Sequence, residues 1–451
     1  MAALVNNRMV REALLAYAIT HGKSEKYNFF ISKDDRKKKP LTSQQLLLDA
    51  IEEANLDMVK DADRLAAIAY RGADFERAQR WLDVADMNSL LARRIRAKLF
   101  LRDGKIKEAA EDLAFIARQT NPGESQSYRN YYRLDSSRKL HSELGSLYLS
   151  QKMYTQAVDA LMKGGNWTDA AYIAERVLTL EELQSYVDTT WPVSMLEPIR
   201  DEKAIGPDGR RTPKVHQAEK AQKIRYLLAR RLARLGQFQK ARPYYPPAKK
   251  TRSHFPKSIL EDFVRFTNAL EKANAPSLSQ SERADAFWTA AWLMRHKGME
   301  MTGTELAPDW HIYGGSFSRQ DPLEMRLDTS KRNKFNVPTQ DEIDRAQRNF
   351  LALPDKRFHY RYFASDLAWE AAALMENEDV ELARRLCLAG TWHRDRDSKH
   401  ADVFYKSLVL RCGTTKLGKE ADRIRWFPKI PDTLEAGAPY EPPQEESKAA
   451  Q

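Results

Sequence analysis

Leu144-Gly-Ser-Leu-Tyr-Leu-Ser-Gln-Lys-Met-Tyr154-Thr-Gln-Ala157-Val-Asp-Ala-Leu161 is the stretch from which the fold is read. Ala157 stands three residues after Tyr154 and four before Leu161. The same arrangement recurs around Ala78 (Phe75, Leu82), Ala109 (Ile106, Leu113) and Ala241 (Phe238, Tyr245). An alanine flanked this way lets two antiparallel helices approach closely while the bulky neighbours fill the space beside them. A row of such hairpins makes a binding surface more often than a reaction vessel.

Composition agrees with helices. Charged residues make up 30% of the 451, and there are only 18 glycines, so few residues oppose helix formation. The chain is too long for one compact core, which predicts several lobes or one elongated array. No apolar run is long enough to span a membrane; the longest, Ala284 to Met294, contains Asp285 and reads as a buried helix. Residues 2–8 form no secretory apolar region, which favours the cytoplasm, with an exported, processed chain left open. Val5, Met9, Val10, Leu14, Tyr17 and Ala18 already make an apolar helix stripe, as in a chain trimmed from a longer one. Two cysteines, Cys387 and Cys412, are too few for a disulfide framework and are expected as buried thiols on neighbouring helices.

Further out from the quoted stretch, the repeated positions are Leu65-Ala66, Phe75, Ala78, Leu82, Ala85; then Ala97, Phe100, Gly104, Ile106, Ala109, Leu113; then Leu144-Gly145, Tyr148, Tyr154, Ala157, Leu161. Leu228-Ala229, Gly236, Phe238, Ala241, Tyr245 make a fourth set, with a weaker echo at Ala383. In these residues the chain resembles a degenerate tetratricopeptide-repeat protein over roughly residues 43–245. The family's early tryptophan is missing and the spacing varies: Ala78 and Ala109 are 31 apart, Ala109 and Ala157 are 48 apart. A polar, aromatic connection around Asn121 to Arg133 occupies the longer interval.

The expected organisation begins with an N-terminal helix and polar loop (1–42), followed by repeat hairpins (43–190). A basic, Pro/Gly-interrupted region with one further repeat (191–257) comes next. A C-terminal helical lobe (258–426) carries a long irregular loop (298–338), and a disordered, proline-rich tail follows (427–451). The fold class is therefore all-α: a tetratricopeptide-like α-solenoid of helical hairpins with a C-terminal lobe. Pro243, Pro246 and Pro247 should cut short the second helix of the fourth hairpin.

Charge is unevenly placed. The chain carries +11 overall. Between Gly209 and Lys257 stand fifteen Lys and Arg against Glu219 alone, a local surplus of +14. Arg210, Arg211, Arg225, Arg231, Arg242, Lys249, Lys250 and Arg252 belong to it. With Tyr226, Phe238, Tyr244, Tyr245 and Phe255 interleaved, this segment could bind nucleic acid.

Three motifs suggest chemistry. Gly413-Thr-Thr-Lys-Leu-Gly418-Lys419 has phosphate-loop spacing, but Glu420 follows where a hydroxyl is needed and a helix precedes it, so Gly413 reads as a helix cap. His296, Glu300, Glu305, Asp309 and His311 could converge on a divalent metal or do acid–base work, or simply tie down a loop plugged by Trp310, Tyr313 and Phe317. His393-Arg-Asp-Arg-Asp397-Ser-Lys-His400 reads as an inter-helix turn with Asp397 or Ser398 capping the next helix. No nucleophile elbow or zinc motif is present, so no catalytic residue, metal or cofactor is assigned.

The resemblance also implies a recognition surface. In the family, the concave groove is lined by fixed positions of each unit's first helix. Here those positions hold Lys60, Arg71, Arg94, Lys98, Arg102, Lys139, Lys223, Arg230 and Arg234. Asparagines of the family's carboxylate clamp are absent from them. The expectation is a non-enzymatic scaffold, within a larger assembly, that holds an acidic protein or peptide by salt-sensitive contacts.

Overall fold

The computed structural model describes residues 2–21, 43–55, 57–119, 137–196, 213–246, 258–303, 322–332, 337–349 and 359–436. Helices make up its regular structure, and no strand occurs among the described residues. The chain divides into two compact units, Met1–Asn166 and Trp167–Gln451.

The first unit contains α1 (Ala2–Asn6), α2 (Arg8–His21), α3 (Ser43–Glu53), α4 (Ala62–Arg71), α5 (Phe75–Asp83), α6 (Leu90–Arg102), α7 (Ile106–Gln119), α8 (Ser137–Ser150) and α9 (Tyr154–Gly164). The single helix expected at the start of the 1–42 segment is broken at Asn7, whose side chain accepts from the Val10 amide and so starts α2. Its apolar stripe is only partly used: Val5, Leu15 and Ala18 are buried, whereas Met9 and Tyr17 face solvent.

Helices pair in sequence as α4/α5, α6/α7 and α8/α9, and α4 also lies against α6 and α7 against α8. Ala78, Ala109 and Ala157 are fully buried in these pairs. At Gly145 the approach is tightest: a Cβ there would lie 2.6 Å from Leu161 Cγ.

One turn geometry closes every one of these hairpins. Two residues before α5, α7 and α9 stand Ala73 (φ 60°), Gly104 (φ 75°) and Lys152 (φ 62°), all left-handed. In each turn the following amide reaches back five residues: Asp74 N to Ala69 O (3.0 Å), Lys105 N to Phe100 O (2.8 Å), Met153 N to Tyr148 O (2.9 Å). That bond closes the helix end as a Schellman turn and sets the return angle of the next helix. Ser89 and Asp74 cap α6 and α5 with side-chain oxygens. Buried Asp112 of α7 ties Arg93 and Arg96 of α6, at 2.9 and 2.6 Å.

The second unit opens with α10 (Trp167–Tyr172), which runs into a π turn, Ile173–Val177, followed by α11 (Leu180–Thr190). Next come α12 (Pro213–Arg234), the four-residue α13 (Phe238–Ala241), α14 (Ile259–Ala273) and α15 (Gln280–Thr302). The remaining helices are α16 (Pro322–Arg332), α17 (Gln340–Arg348), α18 (His359–Ala373), α19 (Val380–Thr391), α20 (Ser398–Arg411) and α21 (Lys416–Ile424). The α12/α13 turn repeats the first unit's geometry: Gly236 has φ 70° and the Gln237 amide bonds Leu232 O at 3.0 Å. Ala241 is fully buried. As expected, α13 ends at the Pro243 turn.

Two expectations for this unit need correction. The irregular stretch does not begin at Gly298, because α15 continues to Thr302, and Pro322–Arg332 is itself helical. Helix α15 can run on because its last carbonyls are capped from outside. Tyr226 Oη donates to Glu300 O at 2.5 Å, Tyr245 Oη to Met301 O, and Arg234 Nη1 to Thr302 O at 2.6 Å. The tail, for its part, is not disordered from Phe427: Phe427, Pro428, Asp432 and Thr433 are held against α15 and α19, with Phe427 buried. Residues 437–451 lie outside the described residues.

Candidate anion-binding face

Helices α4, α6 and α8, the first helices of their hairpins, bring one set of cations together. From α6 come Arg94, Lys98 and Arg102, spaced four apart and so on one face. Arg71 comes from the end of α4 and Lys139 from the start of α8. The carboxylate among them is Glu143, whose Oε2 lies 2.5 Å from Arg94 Nη2. The ring of Tyr70 lies 5.4 Å from Lys98 Nζ, and the Arg102 guanidinium sits 3.8 Å over the Phe75 ring, itself edge-on to Tyr70.

The electrostatics follow from this crowding. Burial lowers the Lys98 pKa first, and neighbouring Arg94, Lys139 and Arg71 lower it further, with Glu143 opposing. Burial raises the Tyr70 phenol, partly offset by Arg102 and Arg94. An ammonium in this setting gains from an incoming anion, which would offset the repulsion from its cationic neighbours.

Not every expected groove residue presents its charge. Arg94 is buried and occupied by Glu143, and Arg71 donates to Ile19 O. Lys98 is half-buried, and Arg102, Lys139 and Lys60 are exposed. Lys60 sits apart, on the 3₁₀ turn Val59–Asp61 before α4. Lys223, Arg230 and Arg234 belong to the other unit and cannot be counted with this face. Lys223 lies 5.8 Å from the Trp167 ring; Arg230 is 1% exposed against Tyr226; Arg234 pairs with buried Glu175.

The basic segment is corrected in the same way. Arg225 is buried, donating to Trp191 O and Pro243 O and lying 4.8 Å from the Tyr244 ring. Buried Arg231 donates to Ala174 O (2.6 Å) and Leu178 O (3.0 Å), the carbonyls beside the π turn, and burial lowers its pKa to about 10. Tyr226, Tyr244 and Tyr245 are core residues, unavailable for base stacking. Arg242 alone of the described segment residues in that set is exposed. Arg210, Arg211, Lys249, Lys250, Arg252 and Phe255 lie outside the described residues.

The described residues of the three chemical motifs have structural partners. His296 Nε2 lies 3.3 Å from Asp432 Oδ1, and this contact lowers the Asp432 pKa. Burial raises Glu300, while Glu305, Asp309 and His311 lie outside the described residues. No group of three metal-binding side chains occurs among the described residues. Asp397 caps α20 through the His400 amide. Thr415 caps α21, and a Cβ on Gly418 would overlap the Cys412 carbonyl, so this glycine serves a close helix-turn approach. Cys387 and Cys412 are buried, unbonded thiols.

Glu143, Tyr70 and Phe75 belong to the face without having been expected there. Glu143 was within reach, four residues after Lys139 on the same helix. No family model, curated protein or solved structure matches the chain. No described helix is long and apolar enough to cross a membrane.

Proposed function

We propose that the chain is a non-enzymatic scaffold whose N-terminal unit, a tetratricopeptide-like set of hairpins, holds an acidic protein segment against α4, α6 and α8. One observation carries the reading: among the described residues, Arg94, Lys139 and Arg71 lie close enough to Lys98 to lower its pKa, with Glu143 as the carboxylate that opposes them. The shared hairpin turn and the buried alanines support the repeat assignment.

Lys98, Arg102 and Lys139 are the contact residues. Arg94 keeps the face in register through Glu143 and is a poor target for mutation, since it is itself buried and its loss would leave the half-buried Glu143 carboxylate without this partner. The test is fluorescence anisotropy of a labelled Glu-rich peptide with the wild-type chain and with Lys98→Glu/Arg102→Glu. Reversal of two partly exposed charges should weaken binding about tenfold at low salt, with the difference shrinking as salt rises. Equal affinity for the two proteins, with both folded, would refute the assignment.

A further inference from the structure

In the C-terminal unit, the segment Phe427-Pro-Lys-Ile-Pro-Asp-Thr433 runs as irregular, non-helical chain across α15 and α19. It is attached side chain by side chain. Phe427 packs on Gly390, where a Cβ would overlap the ring, so α19 carries a notch shaped for an aromatic residue. Pro428 is buried, and its carbonyl faces the Cys387 thiol at 3.6 Å. Farther along, Asp432 meets His296 of α15, and Arg384 of α19 donates to Thr433 O at 3.0 Å.

The seam under this segment is aromatic. Trp288 of α15 stacks on Trp392 at 5.7 Å, and Arg384 lies 5.7 Å from the Trp288 ring. Trp292, one turn on, lies against His296 at 4.3 Å. The indole N–H groups of Trp288, Trp292 and Trp392 are buried, and none has an acceptor. A buried indole ordinarily finds one. The segment that covers the seam gives these three indoles no acceptor, as is also the case for buried Trp81 and Trp191 N–H groups. Aromatic-lined grooves with spare donors suit extended proline-containing segments, which lose little entropy on docking.

We infer that the α15/α19 seam is a docking groove for an aromatic-Pro-x-x-Pro-Asp segment, held closed in the isolated chain by its own residues 427–433. The notch at Gly390 reads the aromatic residue and His296 reads the acidic end, while Arg384, itself paired with Glu381, holds the carbonyl that follows. The tether to α21 keeps the internal segment at high effective concentration, so an outside segment enters only by displacing it.

The probe is a fluorescent synthetic peptide, Trp426 to Ala436, titrated into the full chain. Wild type should bind it roughly tenfold or more weakly than Phe427→Ala, in which the internal competitor is loosened. Adding Gly390→Ala to Phe427→Ala should abolish binding. Equal binding by wild type and Phe427→Ala, or binding that survives Gly390→Ala, overturns the inference. A second arm does not depend on the folding of Phe427→Ala. Lys429 is exposed and both native thiols are buried, so Lys429→Cys takes a dye at position 429 alone. Unlabelled peptide at millimolar concentration should lower the dye's anisotropy, and a peptide with alanine for phenylalanine should not. No change with the native peptide overturns the inference.

Discussion

Acid should loosen α18, α19 and α20 through one imidazole. His393 is 1% exposed. Its Nε2 lies 3.2 Å from Arg361 O and 3.1 Å from Ser365 Oγ, and His400 Nε2 lies 3.0 Å from that same hydroxyl. Burial, and then the neighbouring His400, push the His393 pKa from 6.5 to about 4; the Arg361 carbonyl and Asp397 oppose the change. The sign follows from the linkage. Between about pH 4 and 6.5 the unfolded chain binds this proton more readily than the folded one, so stability falls as pH falls through that window. Integrated from about pH 7 to about pH 5, the full shift amounts to about 2 kcal/mol, and partial solvent relaxation reduces it to about 1–2 kcal/mol. Asp397, held low by the His400 amide and the Tyr362 hydroxyl, acts in a separate and lower window. Hydrogen exchange by mass spectrometry across residues 359–411, corrected for intrinsic rates, measures the local opening free energy at both pH values. His393→Gln keeps a polar side chain but does not titrate, so its pH slope should flatten. Identical slopes in the two proteins would refute the reasoning.

Three further outcomes are expected. Gly104 has open space around its Cβ position, so Gly104→Val should cost only the backbone strain of a left-handed β-branched residue, about 1–2 kcal/mol by chemical denaturation; at the equivalent turn position, Lys152→Gly should leave stability level or raise it by up to about 1 kcal/mol. Burial pushes the Cys387 thiol up to about 12 and Cys412 up to about 11, so neither should react with iodoacetamide at neutral pH until the chain is denatured, as mass spectrometry of the alkylated protein would register.

What the sequence disclosed is the part of the fold that depends on near neighbours. The alanines at 78, 109, 157 and 241 announced helix contacts, and all four are buried. Gly104 and Gly236 marked two of the turns; Ala73 and Lys152 hid the other two, because their left-handed backbone is imposed by the hairpin rather than favoured by the residue. The end of α15 was misplaced since its glycine and methionines look irregular, while the caps that let it continue, Tyr226, Arg234 and Tyr245, come from over fifty residues away. The tail was misread for a similar reason. Five prolines after Phe427 argue against regular structure, yet irregular chain can still be held when a notch such as that at Gly390 receives its aromatic residue. In the candidate face, the stripe Arg94, Lys98, Arg102 was legible from helical spacing alone. That Arg94 is answered by Glu143, and Lys98 is not answered in kind, depends on how α6 meets α8.

The distribution of charge carries the last step. By sequence, the strongest field lies in 209–257, and by structure much of its described part is turned inward. Arg225 and Arg231 feed backbone carbonyls, Arg234 caps α15, and Arg230 lies 4.0 Å from the Tyr226 ring. Guanidinium suits this work: it is planar, weakly hydrated, and offers five donors that can satisfy several carbonyls from one buried position. Where α12 passes the π turn and the end of α15, such carbonyls are plentiful, and arginine is drawn in. Along α6 the neighbouring helices are capped by their own Schellman turns, so fewer carbonyls need outside donors there. Lys98 and Arg102 then rest on aromatic rings with their charge still directed at the surroundings. A cation's availability for recognition therefore depends on whether the adjacent backbone has already claimed it, which is why the smaller cluster on α6, not the denser run on α12, is the one we propose as a binding face.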